Sequence, residues 1–120
     1  MRPSGAAEHT VFDRILRGQM PADVVYQDEW VLAFRDINPQ APTHVLVIPK
    51  RKARDLPELA LRAPAEIGEF LGGVARAAAA LGLEQSGYRV VINSGRHAQQ
   101  SVQYLHAHIL GGRQMSWPPG

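Results

Sequence analysis

A chain of 120 residues has room for one domain around one hydrophobic core, and not for two. Its 45% hydrophobic and 20% charged residues are the balance of a globular protein, and 13 Lys and Arg against 11 Asp and Glu leave a net charge of +2, too little to imply a polynucleotide partner. Cysteine is absent, which excludes disulfides, thiolate zinc sites and thiol nucleophiles and fits a reducing compartment.

Residues 1–8 have no apolar stretch long enough for a secretory signal and read as a disordered lead to a single domain over 9–120. No run approaches the ~20 apolar residues of a membrane span, so a cytoplasmic protein with no membrane partner is expected. Thr10 is a plausible N-cap for a short helix with Val11, Phe12, Ile15 and Leu16 at helical spacing and Gly18 as its stop. Val24-Val25-Tyr26 and Trp30 to Phe34 read as strands of an antiparallel hairpin turning at Gln27-Asp28-Glu29. Asn38-Pro39-Gln40-Ala41-Pro42 breaks the chain, because proline cannot donate to a ladder and restricts the residue before it. His44 to Ile48 is a β-branched strand ending at Pro49. The basic cluster Lys50-Arg51-Lys52 with Arg54 lacks the interleaved aromatics of a single-strand binding surface and reads as a solvated turn.

Ile67, Phe70, Leu71, Val74, Ala78 and Leu81 recur at helical spacing between Pro64, suited to a first turn, and Gly82, suited to an end. Gly68, Gly72 and Gly73 lower the propensity of this long helix and allow close packing on a sheet. Tyr88 to Ile92 is a further strand, Asn93 to Gln100 a polar loop, and Val102 to Leu110 the last strand. The fold class is α+β: a mostly antiparallel sheet of about five strands with one long helix and a short N-terminal helix.

Within that last strand, Tyr104, His106 and His108 project to one face, with the imidazoles about 7 Å apart, while Leu105, Ala107 and Ile109 project to the other. Three readings of the row stand open. Neutral imidazoles at i and i+2 serve in zinc sites, though His44, Asp36 and Glu29 complete no recognisable ligand spacing. Two partly buried histidines satisfied by backbone carbonyls would do no chemistry. A histidine with one nitrogen fixed and the other free is a nucleophile toward phosphorus, and Gln99-Gln100-Ser101-Val102 just upstream offers hydrogen-bond donors.

From Thr10 to Gly120 the chain resembles the histidine triad (HIT) family, in particular its Hint-like nucleotide-binding branch. The resemblance rests on Thr10-Val11-Phe12 with Ile15, Ala33 through His44, Val47-Ile48-Pro49-Lys50 and Gly87 through Asn93. Gln100-Ser101-Val102, the histidine row, Leu110 through Met115 and Trp117-Pro118-Pro119-Gly120 complete it. It implies a homodimer that binds purine nucleoside monophosphates and hydrolyses phosphoramidate or acyl-adenylate bonds without a cofactor or metal. By the same resemblance His106 is the nucleophile and His108 contacts the phosphate. His44 stands behind the nucleophile and orients it, and Asp36 accepts the ribose hydroxyls. Phe12, Phe34 and Ile37 line the base pocket. Asn93, Gln100 and Ser101 surround the phosphate and leaving atom, and Trp117 crosses the dimer to the partner's leaving-group side.

Three positions depart from the family pattern. Tyr104 replaces the first histidine, and its phenol, with an ordinary pKa of ~10, cannot act as an imidazole does. Gln99 replaces a glycine in the phosphate loop, and Ser116 stands where relatives often carry histidine. The expected function is therefore a purine nucleoside phosphoramidate hydrolase acting through a nucleotidyl-histidine. Its alternatives are a nucleotide-binding regulatory dimer with little turnover because of Tyr104 and Gln99, and a zinc protein through His106, His108 and His44.

Overall fold

Apolar and β-branched residues from Thr43 to Pro49 make the strand that everything else is built on. The computed structural model describes residues 9–120 and places this strand at the centre of a five-stranded antiparallel sheet. In chain order the elements are α1 (Val11–Leu16), β1 (Val24–Gln27), β2 (Val31–Arg35), β3 (Thr43–Pro49), α2 (Leu56–Leu59), α3 (Pro64–Ala80), β4 (Arg89–Ile92) and β5 (Ala107–Gly111). The strand order β1-β2-β3-β5-β4 leaves β1 and β4 as edges. The lead expected over residues 1–8 lies outside the described residues. No described helix is long and apolar enough to cross a membrane.

Strand alternation divides the core in two. Val31, Ala33, Val45, Val47, Ala107 and Ile109 face α3 and pack with Phe70, Val74, Ala77 and Ala78. The intervening Leu32, Phe34, Leu46 and Ile48 face the other way and pack with Phe12 of α1 and Tyr104. A thick core on one face thus supports the sheet, and the smaller cluster leaves the other face free for a site. α1 itself is fixed by a capping box in which Thr10 Oγ1 accepts the Asp13 N–H while Asp13 accepts the Thr10 N–H at 2.7 Å.

Two expectations are corrected in detail, and one element is added. Leu71 is not on the buried stripe of α3: it is 52% exposed, and Gly73 and Ala77 are buried instead. The stripe is displaced toward its small residues, because they let the helix approach the sheet. Of the three glycines, Gly73 makes that approach: a Cβ there would lie 2.6 Å from a Val31 methyl, whereas Gly68 meets nothing and Gly72 only the Arg76 side chain. Gly73→Ala is accordingly expected to destabilise the fold by about 1–3 kcal/mol, read as a lower urea midpoint at unchanged slope. Next, α2 interrupts the stretch after the basic turn; Asp55 accepts the Glu58 N–H at 3.1 Å as its cap, with Pro57 in the first turn. Last, β5 begins at Ala107 rather than Val102, because the Leu105 N–H leaves the ladder and donates to the Ala53 carbonyl at 2.7 Å. The side-chain alternation continues regardless, so Tyr104 and His106 still share the face of His108.

Candidate active site

On the thin-core face, beyond the Phe12 cluster, β3 and β5 bring three histidines together. His108 pairs across the ladder with Leu46, and His44 with Leu110, so the two imidazoles are diagonal neighbours on one face. His44 Nε2 lies 2.9 Å from His108 Nδ1, although 64 residues separate them in sequence. The His106 ring stands 5.1 Å from that of His108, centroid to centroid, and edge-on to Phe12 at 5.0 Å. Asp36 follows β2. Its N–H donates to the His44 carbonyl at 2.9 Å, its Oδ1 accepts the Asn38 N–H at 2.8 Å, and its Oδ2 is 3.4 Å from His44 Nε2.

Hydrogen bonding fixes the tautomer of each ring in turn. The Gln40 N–H can only donate, so His44 Nδ1, 3.0 Å away, accepts and the His44 proton sits on Nε2. His44 Nε2–H then donates to His108 Nδ1, which places the His108 proton on Nε2. That Nε2 is buried and has no protein partner. The Tyr104 carbonyl can only accept, so His106 Nδ1, at 2.7 Å, carries a proton and Nε2 carries the lone pair. The row thus presents one nucleophilic nitrogen and one N–H donor.

Burial keeps all three rings uncharged. Desolvation lowers the His106 pKa from its usual 6.5, against the Tyr104 carbonyl and the Asp36 charge. His108 is lowered to about 4, first by burial and then by the neighbouring His106 and His44. His44 is lowered too, burial outweighing Asp36, so its 3.4 Å approach to that carboxylate is the contact of a neutral ring and not an ion pair.

Two chambers meet at this row. An apolar one of about 360 Å³ is walled by Phe12, Ile15, Phe34, Leu46 and Val102, with Met20 to Asp23 along one side. A polar one of about 690 Å³ is walled by Asn38, Gln40, Asn93, His97, Gln99 and Gly120 among others. Asp36, Ser101, His106 and His108 border both. An apolar slot and a polar bay joined at a nucleophile and an N–H donor can hold an aromatic heterocycle on one side and a charged or polar group on the other.

Of the residues singled out in the sequence, Asp36, His44, Asn93, Ser101, His106 and His108 converge here, as do Phe12 and Phe34 in the apolar wall. Ile37 is at the rim and fully exposed. Gln100 is not aimed into either chamber. Its amide donates to the Arg54 and Val102 carbonyls at 2.8 and 3.1 Å and accepts the Gly95 N–H at 3.0 Å, bracing the loop from behind. Trp117 is 80% exposed and lines neither chamber; the Arg89 guanidinium lies 6.0 Å from its ring and also donates to the Ser116 carbonyl. Gln99 adopts φ 60, ψ 45, so the left-handed bend that glycine makes freely is retained by an exposed residue at the wall of the polar chamber. The Tyr104 side chain is fully buried and donates to the Pro49 carbonyl at 2.6 Å; only its own carbonyl serves the site. Sequence reasoning missed Gln40, whose contribution is a backbone N–H, and the Met20 to Asp23 wall, which has no periodicity to betray it.

Among the described residues, the one grouping with metal-compatible donors is Asp36, His44 and His108, with ligand atoms within 4.8 Å of one another. Both His44 nitrogens and His108 Nδ1 are engaged in the hydrogen bonds above, and a metal would have to displace the proton between the rings. His106 stands outside the group. This donor set does not fit a resident zinc ion.

The family model described as HIT domain matches residues 17–115. An uncharacterized HIT-like protein of Synechococcus elongatus is 49% identical over 114 residues, covering 95% of this chain and 99% of that one. A 14 kDa zinc-binding protein of Zea mays is 55% identical over 115 residues, covering 92% and 88%. Among solved structures, a HIT family hydrolase from Legionella pneumophila superposes with a TM-score of 0.86 at 43% identity, over 93% of this chain and all of that one.

Proposed function

The chain belongs to the HIT domain family, and from that premise we propose that it is a metal-independent hydrolase of purine nucleoside phosphoramidates, of the Hint-like nucleotide-binding branch. The observation that carries this reading is the tautomer chain: a neutral His106 with its Nε2 lone pair free, beside a buried His108 N–H with no protein partner. A phosphoryl group set between them meets a nucleophile and a donor for its oxygen at once.

In this reading the purine enters the apolar chamber between Phe12 and Phe34, with Ile37 at its rim, and the Asp36 carboxylate accepts the ribose hydroxyls. His106 Nε2 attacks the α-phosphorus. The P–N bond breaks with its electron pair going to the amine nitrogen, which takes a proton from solvent on the open polar side. Water then attacks phosphorus, the P–Nε2 bond breaks with its pair returning to His106, and the proton lost by that water replaces the one taken by the amine. His108 Nε2–H, Ser101 and Asn93 stabilise phosphoryl charge in both steps. The working form is a homodimer in which Trp117 of each protomer reaches toward its partner's leaving-group side, and the setting is the cytoplasm. The chain's small net charge supports a nucleotide rather than a polynucleotide as ligand.

The test is turnover of adenosine 5′-phosphoramidate to AMP and ammonia, followed as a pH profile. Attack requires neutral His106, and a lowered pKa keeps the ring neutral while the pH falls through the usual 6.5. We expect kcat/KM to hold level from about pH 8 down past that value and to fall only below it. A midpoint at or above the usual value would contradict the assignment, and no rate above background would overturn the hydrolase reading.

A further inference from the structure

α1 has six residues, too few to hold a helix by themselves, so the place of Phe12 depends on what pins that short helix. Phe12 stands edge-on to His106 at 5.0 Å and to Phe34 at 5.6 Å, between the nucleophile and the wall of the apolar chamber. The pin is its neighbour, Asp13. A single oxygen, Oδ2, accepts the Thr10 N–H at 2.7 Å, the Thr10 hydroxyl at 2.8 Å and the Lys52 ammonium at 2.8 Å. Capping needs Thr10 alone. The Lys52 arm reaches across from the turn after β3, and the two side chains are only 11% and 7% exposed. Burial raises the Asp13 pKa, but the hydrogen bonds from Lys52 and Thr10 lower it by more, so the pair is charged. Lys52 is itself held fast. Arg62, just ahead of α3, donates to the Arg51 carbonyl at 2.7 Å and to the Lys52 carbonyl, and pairs with Glu66 at 2.9 Å.

A buried ion pair is a poor source of stability, since apolar residues of similar volume serve as well or better. What it supplies is direction: an ammonium on a carboxylate fixes the separation of two elements that apolar contact alone would let slide. We propose that Lys52 is a positioning residue of the active site, holding Phe12 through Asp13 so that the Phe12 ring keeps His106 Nε2 aligned at the border of the two chambers. The Tyr104 carbonyl holds His106 at Nδ1, and the edge of Phe12 steadies the ring against tilting about that bond. The expected effect on rate rests on the hydrolase reading; the expected effect on the His106 ring does not.

Three variants test this. Lys52→Met keeps the stem and removes the charge, and Lys52→Arg keeps the charge. Asp13→Leu/Lys52→Met replaces the pair by apolar residues and should fold, with the Thr10 hydroxyl oxygen still capping α1. Each is compared with wild type, where urea titration shows it folded, by kcat and KM for adenosine 5′-phosphoramidate. The second readout is the NMR resonance of the His106 Cε1–H, assigned by its loss in His106→Ala. We expect kcat to fall about tenfold in Lys52→Met and in the double variant, for a shift smaller than the ~1 Å that costs about a hundredfold. The resonance should be displaced in both, and both readouts should return toward wild type in Lys52→Arg. Should Lys52→Met fail to fold, the double variant decides by the same two readouts. Wild-type kcat and an unmoved resonance in folded Lys52→Met, or recovery of both in the double variant, would leave the pair with stability alone and overturn the proposal. Absence of turnover by wild type would remove the hydrolase reading, and the resonance then decides the positioning by itself.

Discussion

His106→Ala is expected to lower turnover of adenosine 5′-phosphoramidate on the order of 10⁴-fold, to the level that binding and phosphoryl stabilisation alone provide. The size follows from what is removed. Without the imidazole, water must attack the phosphoramidate directly, and neither His44 nor His108 can substitute. His44 uses both nitrogens on Gln40 and His108, and His108 presents a proton, not a lone pair, to the chamber. Rapid quenching of wild type with excess substrate should trap protein heavier by one nucleotidyl group, and the variant should show none. Equal rates in the two proteins would sink the nucleophile assignment. Nucleotide affinity should change little, because Phe12, Phe34 and Asp36 remain in place.

His108 is the contrasting case, since its part is to donate and not to attack. Its N–H is aimed by a relay that begins at a backbone group: the Gln40 N–H orients His44, and His44 orients His108. That relay depends on the break at Asn38 to Pro42, which turns the chain back so that Gln40 reaches the His44 ring only four residues on. Two prolines that sequence reading treats as mere punctuation therefore help to set the protonation pattern of the site.

The parts of this arrangement legible in the sequence are those governed by local period. Alternation puts Tyr104, His106 and His108 on one face, and this holds although the chain bends at Val102 to Tyr104 and β5 begins only at Ala107. The helix over Pro64–Ala80 is legible for the same reason, although not the rotation of its stripe, which depends on how close Gly73 lets it come to Val31. What is not legible is long-range. Nothing near His44 in the sequence announces its bond to His108, and nothing about Gln100 tells that its amide serves loop carbonyls rather than a phosphate. The α2 cap, Asp55 with Pro57 two residues on, carries a readable signal that a search for periodicity passes over, since one turn has no period.

Tyr104 is where sequence chemistry and structure part most clearly, and the consequence is a prediction about stability rather than rate. Judged as a replaced histidine, it threatens the chemistry. In place, its ring is fully buried among Phe12, Leu46 and Ile48, and burial pushes its phenol well above the ordinary tyrosine pKa. Lys52 Nζ lies 5.4 Å from the ring centroid and pairs at 2.8 Å with Asp13, the residue that caps α1 and thereby sets Phe12. The side chain thus ties the nucleophile's strand to α1 and to the end of β3, and it holds the carbonyl that fixes the His106 tautomer. Tyr104→Ala should cost about 3–5 kcal/mol, as for other large aromatic truncations in a core. Tyr104→Phe, which keeps the packing and strips the Pro49 carbonyl of its hydroxyl donor, should cost about 1–3 kcal/mol. Tyr104→His restores the family's residue, but its ring is shorter than the phenol and would bring polar nitrogens into an apolar cluster, so it should destabilise and bring no gain in kcat. Urea titrations of the three variants, with kcat measured at a temperature where each is folded, decide the matter. A large rise in kcat for Tyr104→His would mean that the first position acts through its side chain after all, and that the carbonyl of Tyr104 is not enough.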